Sequence, residues 1–249
     1  MTLDVTFFRD FYNTPLGLYT ALDVLLGIRR MNPSWGGKTL FFGYGLPLFA
    51  QFPESEKQMI WAMPARQGIV FWPANRQTRA VLVEDNQMPF ADETFDNIVC
   101  LHSLEFAQDP EDFLQEIVRV ATRGASITLI VPNRLGLWAH RDKTPFGYGN
   151  PYTLSQLTHL LQRCSLTITR KTPVLSFFPC ASRWGNHPFW SRLWPQALTG
   201  AWCVRVERDP VWAVVAPKPL FVMPKRPALS VVPQPSARHG EPHGIANDH

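Results

Sequence analysis

Apolar residues recur along this chain in two alternating periods. Residues 14–30 carry Leu18, Leu22, Leu25 and Leu26 at helical spacing, which predicts an amphipathic helix. Thr14 is placed to cap it and Pro15 suits the first helical position. Lys38–Phe42 (KTLFF) is a short apolar run stopped by Gly43, the pattern of a buried strand entering a tight turn. Gln58–Met63, Arg79–Val83, Asp96–Leu101 and Ser126–Val131 read as further strands. Between the last two lies the best-marked helix. Asp109 caps it, Pro110 opens it, and Glu111 and Asp112 complement its dipole. Phe113, Leu114, Ile117, Val118 and Ala121 share a face, Arg119 and Arg123 sit near the end, and Gly124 closes it. A strand, a helix and a strand in this order form a crossover in a parallel sheet, so the alternation points to α/β architecture.

A capping box, Thr153 with Gln156, starts another helix over Leu154–Arg163. Strands are predicted at Leu166–Arg170 and Val211–Ala216. Between them, residues 174–201 form an aromatic-rich insertion with Phe177, Phe178, Trp184, Phe189, Trp190 and Trp194. It suits a lid over a pocket, a sticky surface for a partner, or an irregular cap packed on the sheet. Residues 217–249 hold seven of the 23 prolines and lack apolar periodicity, which predicts a flexible, extended tail beyond a folded region of residues 1–216. Its three histidines (His239, His243 and His249) are read as solvated positions.

Composition narrows the classes. Over 249 residues, 45% are apolar and 18% charged, ample for a core and unlike a disordered chain. The net charge of +4 comes from 24 basic and 20 acidic residues, too weak a bias to favour nucleic acid. Cys100, Cys164, Cys180 and Cys203 form no C-x-x-C pair. Neither a disulfide framework nor a metal site is expected, and a reducing, cytoplasmic setting is. No apolar stretch approaches ~20 residues, so no transmembrane helix is expected. The acidic start MTLDVTFFRDFYN does not read as a signal peptide.

Residues 88–133 carry a more specific pattern. Met88-Pro89-Phe90, Asp92 and Thr94-Phe95-Asp96 precede the fourth strand, and Leu104-Glu105 and Asp109-Pro110 follow it. This arrangement resembles the central part of class I S-adenosylmethionine-dependent methyltransferases. The next run, with Pro132-Asn133-Arg134, Gly136, Trp138-Ala139 and Thr144-Pro145-Phe146-Gly147, is similar to a narrower bacterial, type 11-like subgroup. The resemblance extends weakly over residues 11–216. It implies a three-layer α/β sandwich with a mostly parallel, seven-stranded Rossmann-like sheet, and S-adenosyl-L-methionine as cofactor.

Ligands of such sheets sit beyond the carboxyl ends of the strands. The resemblance therefore implies cofactor contacts from Gly43, Tyr44 and Gly45 after the first strand, Met63 at the end of the second, Glu84, Asp85 and Met88 after the third, and His102 after the fourth. Two departures stand out. Pro47 occupies the usual third glycine position, which makes the glycine motif degenerate. The second strand ends at Ala62-Met63-Pro64-Ala65 with no acid for the ribose hydroxyls. Replacing Gly43 with Val is expected to abolish cofactor binding while leaving the fold largely intact.

Methyl transfer is an in-line displacement that rests mainly on positioning and water exclusion. His140, in the loop after the fifth strand, is the candidate base for a hydroxyl or amine acceptor. Asn133, Arg141 and Tyr148 are candidates for holding the substrate, with Lys143 beside them. The aromatic insertion loosely favours a small-molecule or lipid-like acceptor. With Arg183 and Arg192 it also suits peripheral contact with a membrane. The alternative is a non-catalytic binding or scaffold protein on the same fold, suggested by the missing acid and the altered glycine turn. The oligomeric state has no sequence signature.

Overall fold

Strands that are apolar on both faces need cover on both faces, and the chain supplies it with helices from two different regions. The computed structural model describes residues 4–32, 35–45, 59–70, 79–179 and 195–209. Seven strands form one sheet: β1 (Thr39–Gly43), β2 (Met59–Pro64), β3 (Ala80–Val83), β4 (Phe95–Leu101), β5 (Ala121–Pro132), β6 (Leu166–Val174) and β7 (Ala201–Arg208). Their spatial order is β3-β2-β1-β4-β5-β7-β6. The first five run parallel, and β7 lies antiparallel between β5 and β6. The expected sandwich with a mostly parallel seven-stranded sheet is what the chain forms.

One face of the sheet packs on α3 (Pro110–Val120) and α4 (Leu154–Arg163), with Phe113, Leu114, Ile117, Leu157 and Leu161 in that core. The other face packs on α1 (Val5–Tyr12) and α2 (Pro15–Met31), with Phe8, Tyr12, Val24, Leu25 and Ile28 in the second core. The caps are those the sequence announces. Thr14 accepts from Gly17 N–H, Asp109 from the N–H groups of Glu111 and Asp112, and Thr153 and Gln156 make a reciprocal box. Arg119 on α3 donates to the carbonyls of Met88 and Phe90 and pairs with Asp92 and Glu116, fixing the loop that enters β4.

Four expectations need correcting or extending. Helix α2 forms where the leucine spacing puts it, but Leu18, Leu22 and Leu26 face outward, at 54%, 43% and 51% exposure, and of the four leucines only Leu25 is in the core. The buried face carries Gly17, Thr20, Ala21, Val24 and Ile28 instead. Helix α2 is apolar on two sides, and small residues let one of them approach the sheet: a Cβ on Gly27 would collide with Val174. Gly124 does not close α3. The helix stops at Val120, and β5 begins at Ala121 with no intervening turn, so Gly124 (φ +85°) bends the strand. Helix α1 was not marked by apolar spacing; Asp4 caps it by accepting from Thr6 N–H. The strand after β6 is Ala201–Arg208, whereas the segment 211–216, most of the aromatic insertion and the tail lie outside the described residues.

Cys100, Cys164 and Cys203 are free thiols in the core, and burial pushes Cys203 up to about 12. No helix among the described residues is long and apolar enough to cross a membrane. The described residues also hold no cluster of metal-binding side chains.

Candidate functional site

Strand order reverses at β1, which pairs with β2 on one side and β4 on the other. At such a reversal, the loops leaving the carboxyl ends diverge and open a crevice. The structure divides this crevice into a filled half and an open half.

The filled half lies around the turn after β1. Gly43 has φ +91°, and an added Cβ would fall inside contact with the carbonyl oxygen of Leu101. Its lack of a side chain therefore serves the β1–β4 approach. This corrects the expectation for a larger residue at position 43, which would strain the sheet itself. Tyr44 is buried and stacks on Phe8 (5.2 Å) and Tyr12 (5.8 Å) of α1. Gly45 is buried beside it.

His102 follows β4 in a left-handed backbone conformation (φ +55°) and is fully buried. Its Nε2 lies 2.8 Å from the Tyr12 hydroxyl and its Nδ1 3.3 Å from Glu105 Oε1. In the neutral-ring tautomer that places the Nδ1 proton toward the Glu105 carboxylate, the Tyr12 hydroxyl donates to Nε2. Burial, with Tyr44 and Glu105 nearby, raises the Tyr12 hydroxyl well above its ordinary pKa, which keeps it protonated as the donor. The second Glu105 oxygen accepts from Ser103 N–H. Helix α1 is thereby tied across the sheet to the end of β4, and Val5 N–H on Gln67 O (2.7 Å) ties it to the end of β2.

The open half is a cavity of about 480 Å³ beyond β2, β3 and β4. Its described wall comprises Pro64, Arg66 and Gln67 after β2, Asp85 after β3, Ser103 and Glu105–Gln108 after β4, and Tyr148–Asn150 from the loop after β5. Arg66 reaches Asp85 at 3.5 Å. Burial raises the Asp85 carboxyl above the usual range, Arg66 opposes that rise, and Glu84 adds to it. Gln67 Nε2 donates to His102 O (2.9 Å). Gln67 Oε1 is buried without a hydrogen-bond partner, a costly state unless something is bound nearby, and Ser103 Oγ is buried beside it with only the Cys100 thiol in reach.

Of the expected residues, Asp85 and Tyr148 line this cavity. Gly43, Tyr44, Gly45, Met63, Met88 and His102 are buried and do not line it, and Glu84 is exposed beside it. Met88 N–H donates to Glu116, inside the loop held by Arg119. Asn133 is occupied structurally: its Nδ2 donates to the carbonyls of Ala197 and Thr199, and its Oδ1 accepts from Leu135 N–H. His140 and Arg141 are exposed in the turn after β5 and do not line the cavity. Sequence reasoning missed Arg66, Gln67 and Tyr12. The signal for the first two was Pro64, which ends β2 and makes the next residues the start of the crevice wall; Tyr12 had none.

Comparison with known proteins adds independent support. A family model described as a methyltransferase domain matches residues 66–129. Two Rauvolfia serpentina proteins match over 58 residues, ajmaline N-methyltransferase at 40% identity and norajmaline N-methyltransferase at 36%. Each match covers 23% of this chain and only 18% of the relative. A solved S-adenosylmethionine-dependent methyltransferase from Thermotoga maritima superposes with a TM-score of 0.58 at 14% identity, covering 82% of this chain and 96% of the other. One from Aquifex aeolicus gives 0.53 at 16% identity, covering 82% and 98%. Identities this low establish a shared fold.

Proposed function

We propose that this chain, which by fold and by its central segment belongs to the class I S-adenosylmethionine-dependent methyltransferases, binds S-adenosyl-L-methionine in the cavity beyond β2, β3 and β4 and transfers its methyl group to a small-molecule or lipid-like acceptor. The observation that carries this is the cavity's place: about 480 Å³ of space beside the strand-order reversal, where this architecture takes its ligands.

The polar groups present fit a nucleoside. The Asp85 carboxylate accepts from hydroxyl or amino groups, the orphaned Gln67 Oε1 has acceptor capacity to spare, and the Ser103 hydroxyl, beside the Cys100 thiol, keeps a lone pair for a donor. These groups would hold the cofactor, with Arg66 supplying donors where the second strand brings no acid. When bound, the cofactor supplies a methyl group on a positively charged sulfur. Tyr148 and the turn Gly149-Asn150 border the side from which an acceptor would enter. Phe8, Tyr12 and Tyr44 exclude water from the adjoining half of the crevice, which favours displacement over hydrolysis. His140 lies in the exposed turn after β5, outside the described cavity wall, so it is proposed as proton acceptor only for a hydroxyl or amine acceptor that extends from the cavity to that turn.

Titration calorimetry with S-adenosyl-L-methionine tests the reading. Saturable binding is expected, weakened in Asp85→Asn about tenfold or more through loss of a charge-assisted hydrogen bond. No binding at millimolar cofactor overturns it. One observation favours a second reading, a non-catalytic binding protein on this fold: β2 leads into Arg66 rather than an acid. Cofactor binding without methyl transfer to any acceptor class would support that alternative.

A further inference from the structure

Nine large apolar side chains are exposed among the described residues, and their distribution is lopsided. Four of them, Leu18 (54%), Tyr19 (53%), Leu22 (43%) and Leu26 (51%), lie along α2. From Leu18 to Leu26 its outward face shows no exposed charged side chain, and then come Arg29 and Arg30, both exposed. Leu135, Leu137, Phe178 and Leu198 make a second set beside the turn after β5. Hydrogen bonds join the two regions. Leu175 N–H donates to Asp23 Oδ2 of α2 at 2.5 Å, and Trp138 Nε1 donates to Phe177 O at 2.9 Å. The second set is also flanked by exposed cations, Arg134, Arg141 and Lys143, against one exposed acid, Asp142.

We propose that α2 is a membrane-docking helix that seats its Leu18–Leu26 stripe in the headgroup–acyl boundary of an anionic bilayer. A leucine stripe with a tyrosine and a basic end is the chemistry such a boundary takes up. The paired Arg29 and Arg30 match anionic headgroups in sign. A second copy of the chain is the weaker occupant. Four half-exposed side chains supply a few hundred Å² at most, well short of the roughly 800 Å² per partner of a stable dimer. The segment Leu175–Phe177 links this helix to the turn Leu137–His140 by the bonds to Asp23 and Trp138, so an acceptor drawn from the docked bilayer would reach the chain near that turn. That step, from docking to a lipid-like acceptor drawn from the bilayer, rests on the methyl-transfer reading; the docking itself does not.

Vesicle flotation of the full chain tests it, using phosphatidylcholine vesicles with and without phosphatidylglycerol. The chain is expected to float with the anionic vesicles and to be released by high salt. Neutralising Arg29 and Arg30 to Gln should weaken partitioning about fivefold per arginine. Leu18→Ser with Leu22→Ser and Leu26→Ser should abolish flotation, with circular dichroism confirming an intact fold. Absence of wild-type flotation, or flotation undiminished in the leucine variant, overturns the proposal. So does light scattering that shows a dimer which the leucine variant splits, because the face then belongs to a second copy. Calorimetry with the cofactor on the same samples separates failure of docking from failure of the enzymatic reading.

Discussion

Tyr12→Phe removes one hydroxyl from the bond that holds α1 across the sheet. The donor and the His102 acceptor are 2.8 Å apart and both side chains are fully buried. The phenylalanine ring keeps the stacking on Tyr44, so the change leaves volume and aromatic contact nearly intact. What it leaves behind is an unpaired His102 Nε2 in an aromatic shell formed by Phe8 and Phe146. An orphaned buried acceptor costs about 1–3 kcal/mol, more than the 0.5–1.5 kcal/mol net value of an ordinary hydrogen bond. At roughly 2–4 °C per kcal/mol for a fold of this size, the melting temperature should fall by about 2–12 °C. Urea unfolding should show a lower midpoint with an unchanged slope. Hydrogen exchange adds the spatial test, because loss of this bond should speed exchange at α1 amides ahead of those in β4. Adding His102→Phe removes the orphan, and the coupling between the two changes should be about 0.5–3 kcal/mol. A Tyr12→Phe protein with an unchanged midpoint and unchanged α1 exchange would refute the idea that this bond anchors the helix.

Other outcomes can be checked on the same protein. Burial raises the Asp23 carboxyl, against the lowering effects of Leu175 N–H and Arg30. The folded state therefore binds this proton more tightly than the unfolded chain, and the carboxylate's contribution to stability falls as pH rises from the ordinary carboxyl pKa through the raised one. Asp23→Asn keeps an acceptor for Leu175 N–H, so in urea titrations its advantage over the parent should grow across that window; a pH-independent difference counts against the assignment. Gly43→Ala should cost at least about 1–3 kcal/mol from its left-handed backbone alone, seen as a lowered melting temperature even without ligand. Arg119→Ala should lose about 2–3 kcal/mol, because it leaves the carbonyls of Met88 and Phe90 without their donor; a melt matching the parent's would show that the loop into β4 is held otherwise.

Much of the sheet was legible because local chemistry and tertiary demand agree there. β1, β2, β3 and β4 are short apolar runs bounded by glycine, proline or charge, and each begins within a residue of its predicted start. The Thr153–Gln156 box marked α4 to the residue. Helix α2 was legible in place but not in which side it packs, because period alone cannot choose between two apolar faces. The choice was made by Gly17 and Gly27, which let the backbone come close to Tyr12 and Val174. β7 was missed since Ala201-Trp202-Cys203 adjoins an aromatic run with no clean alternation. Within the site, Asp85 and Tyr148 were anticipated and do face the cavity. The Tyr12–His102 bond spans 90 residues of sequence, and no local pattern announces such a partner.

The place of β7 has a consequence for synthesis. It is the last described strand to leave the ribosome, yet it inserts between β5 and β6. Until residue 208 emerges, β5 ends the nascent sheet with an open row of backbone donors and acceptors, and β6 has no neighbour to pair with. An open edge of that kind recruits strands from other chains. Stalled or truncated forms lacking this final strand should therefore depend on holdase chaperones and clump in their absence, while the finished chain does not.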